Sequence, residues 1–217
     1  MKRAIIFANG KMVEAPDVVK DIQPDDVLIA ADGGSHLCNE LGLTPEVVIG
    51  DFDSLDEDEL AIYRDKGIEI IQHPRDKDQT DLELAIALAA KRGIGEVYVI
   101  GALGNRWDMS ISNILLIALP AFSNLKIHVV EGRQEFFILR SGEQATLDGS
   151  PGESISLMPL TGDARGITTD GLEYPLNNES LHFGSSRGVS NRFLEKHAQI
   201  IVKEGILLCI LNRGREW

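Results

Sequence analysis

An α/β domain with a mostly parallel, doubly covered sheet of Rossmann-like kind, followed by an all-β sandwich, is the fold this 217-residue sequence predicts. Three observations predict it. Up to about residue 132, short β-rich apolar runs alternate with segments of helical spacing, the pattern of a parallel sheet with helices on its faces. Beyond that point no long helical pattern remains, and turn signals recur between strand-like pieces, as in a sandwich or small barrel. With 43% hydrophobic residues, the chain has enough apolar side chain for one large core or two modest ones.

In order, the strands of the first part are "AIIFA", "DVLIAA", "EVVIG", "IEIIQ", "EVYVIGA" and "KIHVVE". The first follows a basic start, but its apolar stretch is too short for a signal peptide and reads as a strand. Between the strands, "LDEDELAIYRDKG" opens on Ser54 and Glu57, an S-x-x-E capping box. "DLELAIALAAKRG" has apolar residues at helical spacing, Thr80 and Glu83 as a second capping box, and glycine at its end. The second part carries the turn signals "RSGE", "DGSPGE", "LTGDARG", "LNNES" and "VKEG" and the strand candidates "EFFIL", "SISLMPL", "SLHFG", "QIIV" and "ILLCIL". The reading is therefore two domains, 1–132 and 133–217, with no Pro-, Gly- or Ser-rich linker and no repeat.

Charge and cysteine usage exclude several classes. With 34 Asp and Glu against 21 Lys and Arg, the net charge is −13, which disfavours nucleic acid and anionic membrane as partners. An anionic substrate needs help from a cation. The two cysteines, Cys38 and Cys209, form no C-x-x-C pattern, so neither a zinc cluster nor a disulfide framework is indicated, and a reducing cytoplasm fits best. The longest uncharged stretch, 109–125, contains Ser110, Ser112, Asn113 and Pro120, which argues against a membrane span.

The acidic residues are the informative feature. "VVIGDFDS" is a buried-strand pattern that ends in Asp51 and Asp53. If the segment stays extended, the two carboxylates share a face while Phe52 points into apolar packing, and Gly50 leaves room for a ligand. Asp32, followed by Gly33 and Gly34, ends another strand; Asp76, Asp78 and Asp81 cluster before a helix; "GALGNRWDMSISN" adds Arg106, Asp108 and Asn113. Ligands of open α/β sheets bind outside such strand ends. A single Asp near a helix start is also an ordinary cap, Arg106 an ordinary surface residue, and Ser190 with Asn191 an ordinary turn. Asp51 beside Asp53, joined by Asp32 and Asp81, calls instead for a hard cation, because like charges at a buried strand end repel unless neutralised. Mg²⁺ takes carboxylate oxygens and completes its shell with water and substrate phosphates, which lets an acidic protein bind a polyphosphate. There is no P-loop, no G-x-G-x-x-G after a strand and no G-x-S-x-G elbow, and the five histidines lack metal-ligand spacing.

Taken together, "ADGGSHL", "VVIGDFDS", "DKDQTDLELA", "GALGNRWDMSISN", "GLEYPLN" and "GVSN" resemble thiamine pyrophosphokinases over nearly the whole chain. The resemblance implies transfer of pyrophosphate from ATP to the hydroxyl of thiamine with release of AMP, a requirement for Mg²⁺, and a homodimer. It implies that residues 1–132 form the nucleotide- and metal-binding catalytic domain, and that 133–217 bind thiamine and dimerise. Asp32, Asp51, Asp53 and Asp81 are implied at the metal and phosphates, Asp108 beside the thiamine ring, and Ser190, which with Asn191 matches the family's "SN" motif, near thiamine across the dimer. Asp78 and Arg106 are further candidate substrate contacts, the latter because a guanidinium binds phosphate in bidentate fashion. Asn105 and Met109 replace the second glycine and the histidine of the family's G-G-R-x-D-H. A different heteroaromatic alcohol, such as a pterin methanol, and an inactive nucleotide-binding regulator are the alternative readings.

Overall fold

The computed structural model describes residues 2–10, 12 and 15–214. The chain divides into two compact units, Met1–Gly132 and Arg133–Trp217. The first unit runs β1 (Arg3–Phe7), α1 (Asp17–Lys20), β2 (Val27–Ala31), α2 (Gly34–Glu40), β3 (Val47–Gly50), α3 (Glu57–Asp65), β4 (Glu69–Gln72), α4 (Asp81–Lys91), β5 (Glu96–Ile100), α5 (Trp107–Leu116) and β6 (Lys126–Glu131). Its strands lie in the order β6-β5-β1-β2-β3-β4, each pair parallel.

The apolar runs explain this arrangement. β1, β2 and β3 are apolar at almost every position, as strands covered on both faces must be. Ile5, Phe7, Leu28, Ala30 and Val48 pack with Leu37 and Cys38 of α2 and Leu60 and Tyr63 of α3. Their alternates Ile6, Ile29 and Ile49 are also buried, and α4, which buries Leu82, Ala85, Ile86 and Ala89, packs on β1, β2 and β3. A Cβ on Gly34 would lie 1.9 Å from the carbonyl oxygen of Phe7, so only glycine lets α2 start this close to β1.

The second unit contains β7 (Gln134–Arg140), β8 (Gln144–Asp148), β9 (Ser154–Pro159), β10 (Ala164–Asp170), β11 (Glu179–Leu181), β12 (Asn191–Arg192), β13 (His197–Ile201) and β14 (Ile206–Asn212). All pairs among them are antiparallel, in the orders β12-β9-β14-β7 and β11-β10-β13-β8. Inner residues of both groups, among them Leu139, Leu157, Ile167, Ile200 and Leu207, form one buried cluster.

Two expectations need correction. The strand pairing of the chain is mixed, not mostly parallel: it is parallel among β1–β6, but β7, β9, β12 and β14 pair antiparallel, as strands joined by short local loops can. The helix after "GDFDS" starts later than Ser54 would have it. Asp56 is its N-cap and closes a capping box with Glu59, because an Asp–Glu pair three apart recurs two residues downstream of Ser54 and Glu57. Thr80 does cap α4, accepting from the Glu83 amide at 3.2 Å. β8 and β10 are absent from the strand candidates, since "QATLD" and "ARGITTD" are too polar to register as apolar runs.

Candidate active site

A cleft of about 860 Å³ opens at the carboxyl edge of the six parallel strands, where the strand order reverses at β1. Its walls come from the ends of β2 and β6, the turns that follow β1, β2, β3, β4 and β5, and the N-terminal turns of α4 and α5. Asp32, Asp51, Asp53 and Asp81, the four acids expected at a metal, all face it. One oxygen of each of Asp32, Asp51 and Asp53 lies within 4.8 Å of the others.

The backbone brings them together in an unexpected way. Residue 52 is not extended: Phe52 adopts φ +61°, and Asp32 adopts φ +46°. Such left-handed conformations are costly for residues other than glycine, and they gather at functional turns. The bend still buries Phe52 in the apolar cluster under α3, as expected, which anchors the turn that carries the two acids. The Asp53 amide donates to Asp51 Oδ1 at 3.2 Å, closing the turn. A Cβ on Gly50 would lie 3.0 Å from Asp32 Cβ and 3.2 Å from Asp81 Oδ1, so the room left by this glycine is taken up by two converging acids.

Electrostatics set the four carboxylates apart. Asp32 is 6% exposed, and its Oδ1 is buried with no hydrogen-bond partner. A buried carboxylate oxygen left unpaired is costly, and it is the kind of atom that a hard cation satisfies. Lys77 Nζ donates to Asp51 Oδ2 at 2.7 Å and forms an ion pair with Asp81 Oδ1 at 3.1 Å. The Lys77 contact holds the Asp51 carboxyl below its ordinary range. Loss of solvent, reinforced by the charges of Asp51 and Asp32, pushes the Asp81 carboxyl up despite Lys77. The oxygen donors, their spacing and the orphaned Asp32 atom fit a hard divalent cation.

The remaining expected residues are placed differently. Asp78 is exposed and does not face the cleft, whereas Lys77 and Gln79 on either side of it do. Arg106 lines the cleft, but Asp108, in the first turn of α5, does not; it is exposed and engaged by Arg106 through Nη2–Oδ2 at 2.6 Å and Nε–Oδ1 at 3.3 Å. In the second unit Ser190 is exposed at φ +61° and lines a cavity of about 600 Å³ with Gln134, Ser154, Arg192 and Asn212. Asn191 is buried and ties down the "GLEYP" loop: its Oδ1 accepts from the Tyr174 and Arg192 amides, and its Nδ2 donates to the Tyr174 carbonyl. Sequence reading passed over Lys77, Arg75 and Glu131. A lysine among acids resembles surface charge, although its place four residues before Asp81 was a signal. Glu131, half-buried at the end of β6, has its carboxyl pushed up by burial alone, and its Oε2 has no partner.

Residues 20–129 match the family described as "Thiamin pyrophosphokinase, catalytic domain", and residues 143–207 match "Thiamin pyrophosphokinase, vitamin B1 binding domain". A Bacillus subtilis protein named thiamine pyrophosphokinase is 28% identical over 210 residues, covering 97% of this chain and 98% of that one. Thiamine pyrophosphokinase 1 of Oryza sativa is 30% identical over 179 residues, 78% of this chain and 67% of its own. The crystal structure of the Bacillus subtilis enzyme superposes with a TM-score of 0.88 at 26% identity, over 98% of this chain and 99% of that one. Yeast thiamin pyrophosphokinase, at 18% identity and TM-score 0.79 over 97% of this chain and 86% of its own, shares the fold.

Proposed function

Because the chain belongs to the thiamin pyrophosphokinase family, we propose that it transfers the pyrophosphoryl group of ATP to the hydroxyl of thiamine, giving thiamine diphosphate and AMP. The observation that carries this reading is the convergence of Asp32, Asp51 and Asp53 within 4.8 Å at the carboxyl edge of the parallel strands. With Asp81 they would hold Mg²⁺, which when bound neutralises phosphate charge and orients the polyphosphate. Arg75 and Lys77 add fixed positive charge to the same cleft, suited to phosphate oxygens. The thiamine hydroxyl oxygen attacks the β-phosphorus and gives up its proton to solvent, the bond from that phosphorus to the oxygen bridging it to the α-phosphorus breaks, and AMP leaves with that oxygen. The protein's task is positioning and charge neutralisation.

In this reading residues 1–132 form the catalytic domain, with Arg106 as a further phosphate contact, while Asp78 does not face the cleft. Residues 133–217 bind thiamine and dimerise, and Asp108 and Ser190 contribute to the thiamine site of a homodimer. Among the described residues no helix is long and apolar enough to cross a membrane. ATP as donor and two free, buried thiols support a cytoplasmic setting. The test is incubation of the protein with thiamine and Mg-ATP, with AMP and thiamine diphosphate quantified. Equimolar formation of the two is expected. AMP formed only with another alcohol, or none formed at all, overturns the assignment.

A further inference from the structure

Lys77 stands out as a largely buried cation seated among the acids of the cleft. Its side chain is 10% exposed, and it touches Asp51 and Asp81, which come from different turns. Burial alone would drive the ammonium towards neutrality, but the two carboxylates outweigh it and hold its pKa above the ordinary value. One ammonium cannot neutralise Asp32, Asp51, Asp53 and Asp81 together, and the Asp32 oxygen stays unpaired. Lys77 sits in the turn before α4, at the end of a flexible four-carbon stem, so it can let go of the acids without unwinding a helix.

We propose that Lys77 is a counter-cation built into the site: it holds Asp51 and Asp81 while no divalent ion is present, is displaced from them when one binds, and is then available to phosphate oxygens in the same cleft. This rests on reading the cleft as a cation and polyphosphate site. Lys77 is thus a positioning residue that competes with the metal in its absence and serves the nucleotide in its presence.

The test is calorimetric titration with Mn²⁺ alone, without nucleotide, of the wild type, Lys77→Met, Lys77→Gln and Arg75→Met. Arg75 acts on Asp51 through its charge, so its replacement removes the same charge from the cleft without opening a contact. Loss of the competitor should tighten Mn²⁺ by about tenfold in both Lys77 variants, against less than about threefold for Arg75→Met. Equal or weaker Mn²⁺ binding by the Lys77 variants overturns the proposal, and so does an equal gain in Arg75→Met. If the wild type binds Mn²⁺ and the Lys77 variants bind it no better, this inference alone fails; if the wild type binds none, the cation site fails with it. Lys77 variants that unfold without metal but fold on adding Mn²⁺ support the proposal, since the acids then repel one another unopposed. Variants that stay unfolded with Mn²⁺ overturn it in favour of a purely structural ion pair. In steady-state assays at saturating Mg²⁺, KM for ATP should rise several-fold in Lys77→Met and recover in part in Lys77→Arg, while KM for thiamine stays put; an unchanged KM for ATP removes the phosphate role.

Discussion

In the first unit Asp32 and Phe52 sit at φ +46° and +61°, and in the second Ser190 sits at φ +61°, yet the side chains these bends serve meet different fates. The bends at 32 and 52 turn carboxylates towards one another and leave a buried oxygen without a partner. The bend at 190 precedes Asn191, whose side chain is taken up by the backbone of its own unit. Parallel strands deliver all their succeeding turns to one edge, so acids far apart in sequence converge there. Antiparallel strands return through local loops, and a buried amide is used to hold one such loop. Backbone strain alone therefore does not mark chemistry; strain combined with unsatisfied polar atoms does.

The largest effect should come from the cleft. Asp53→Asn is expected to lower turnover by about 10²–10³-fold, roughly 3–4 kcal/mol of transition-state stabilisation, while thermal stability without metal holds or rises as repulsion is relieved. Near-normal Mg²⁺-dependent turnover by the purified variant would show that the converging acids are not the site.

Asp26 sharpens the contrast by being an acid that does have a partner. Arg3 binds it through Nε–Oδ1 at 2.7 Å and Nη2–Oδ2 at 2.5 Å, and the Gln23 amide donates to it at 2.8 Å. Burial alone would raise its carboxyl, but these contacts outweigh it and hold the pKa below the ordinary value. Asp26→Asn should cost about 3 kcal/mol in urea denaturation. Because the folded-state pKa lies below the unfolded one, the stability Asp26 contributes is complete above about pH 4 and is lost as pH falls through the folded value. A variant that shows the same acid sensitivity as the wild type would place that sensitivity elsewhere.

A smaller loss, about 2 kcal/mol, is expected for Asn191→Ala, which leaves the Tyr174 amide and carbonyl without their bonds. Unchanged stability accompanied by lost thiamine binding would make Asn191 a ligand residue after all. The smallest shift is a gain: Ser190→Gly should raise stability by up to about 1 kcal/mol, since glycine adopts φ +61° freely. If Ser190 also serves thiamine, KM for thiamine rises in the same variant; if not, kinetics stay unchanged.

Much of this molecule is legible in its sequence because burial on both faces demands runs such as "AIIFA" and "VLIAA", and water rejects them anywhere but a central strand. The same logic exposes Asp32, Asp51 and Asp53, for a charge that ends a buried strand has few reasons to be there. The change of texture near residue 132 likewise follows from local turn chemistry. Other facts depend on groups that meet only in three dimensions. Whether Lys77 lies in solvent or between Asp51 and Asp81, and whether Asn191 faces a ligand or the Tyr174 backbone, depends on distances between turns. Asp78 and Asp81 are three residues apart in one motif, yet only Asp81 faces the cleft, because α4 begins there and turns the chain towards the sheet edge. Composition and periodicity determine which residues must be buried; the partner each polar atom finds is decided by packing, since a hydrogen bond or ion pair is made over about 3 Å and no sequence spacing specifies that.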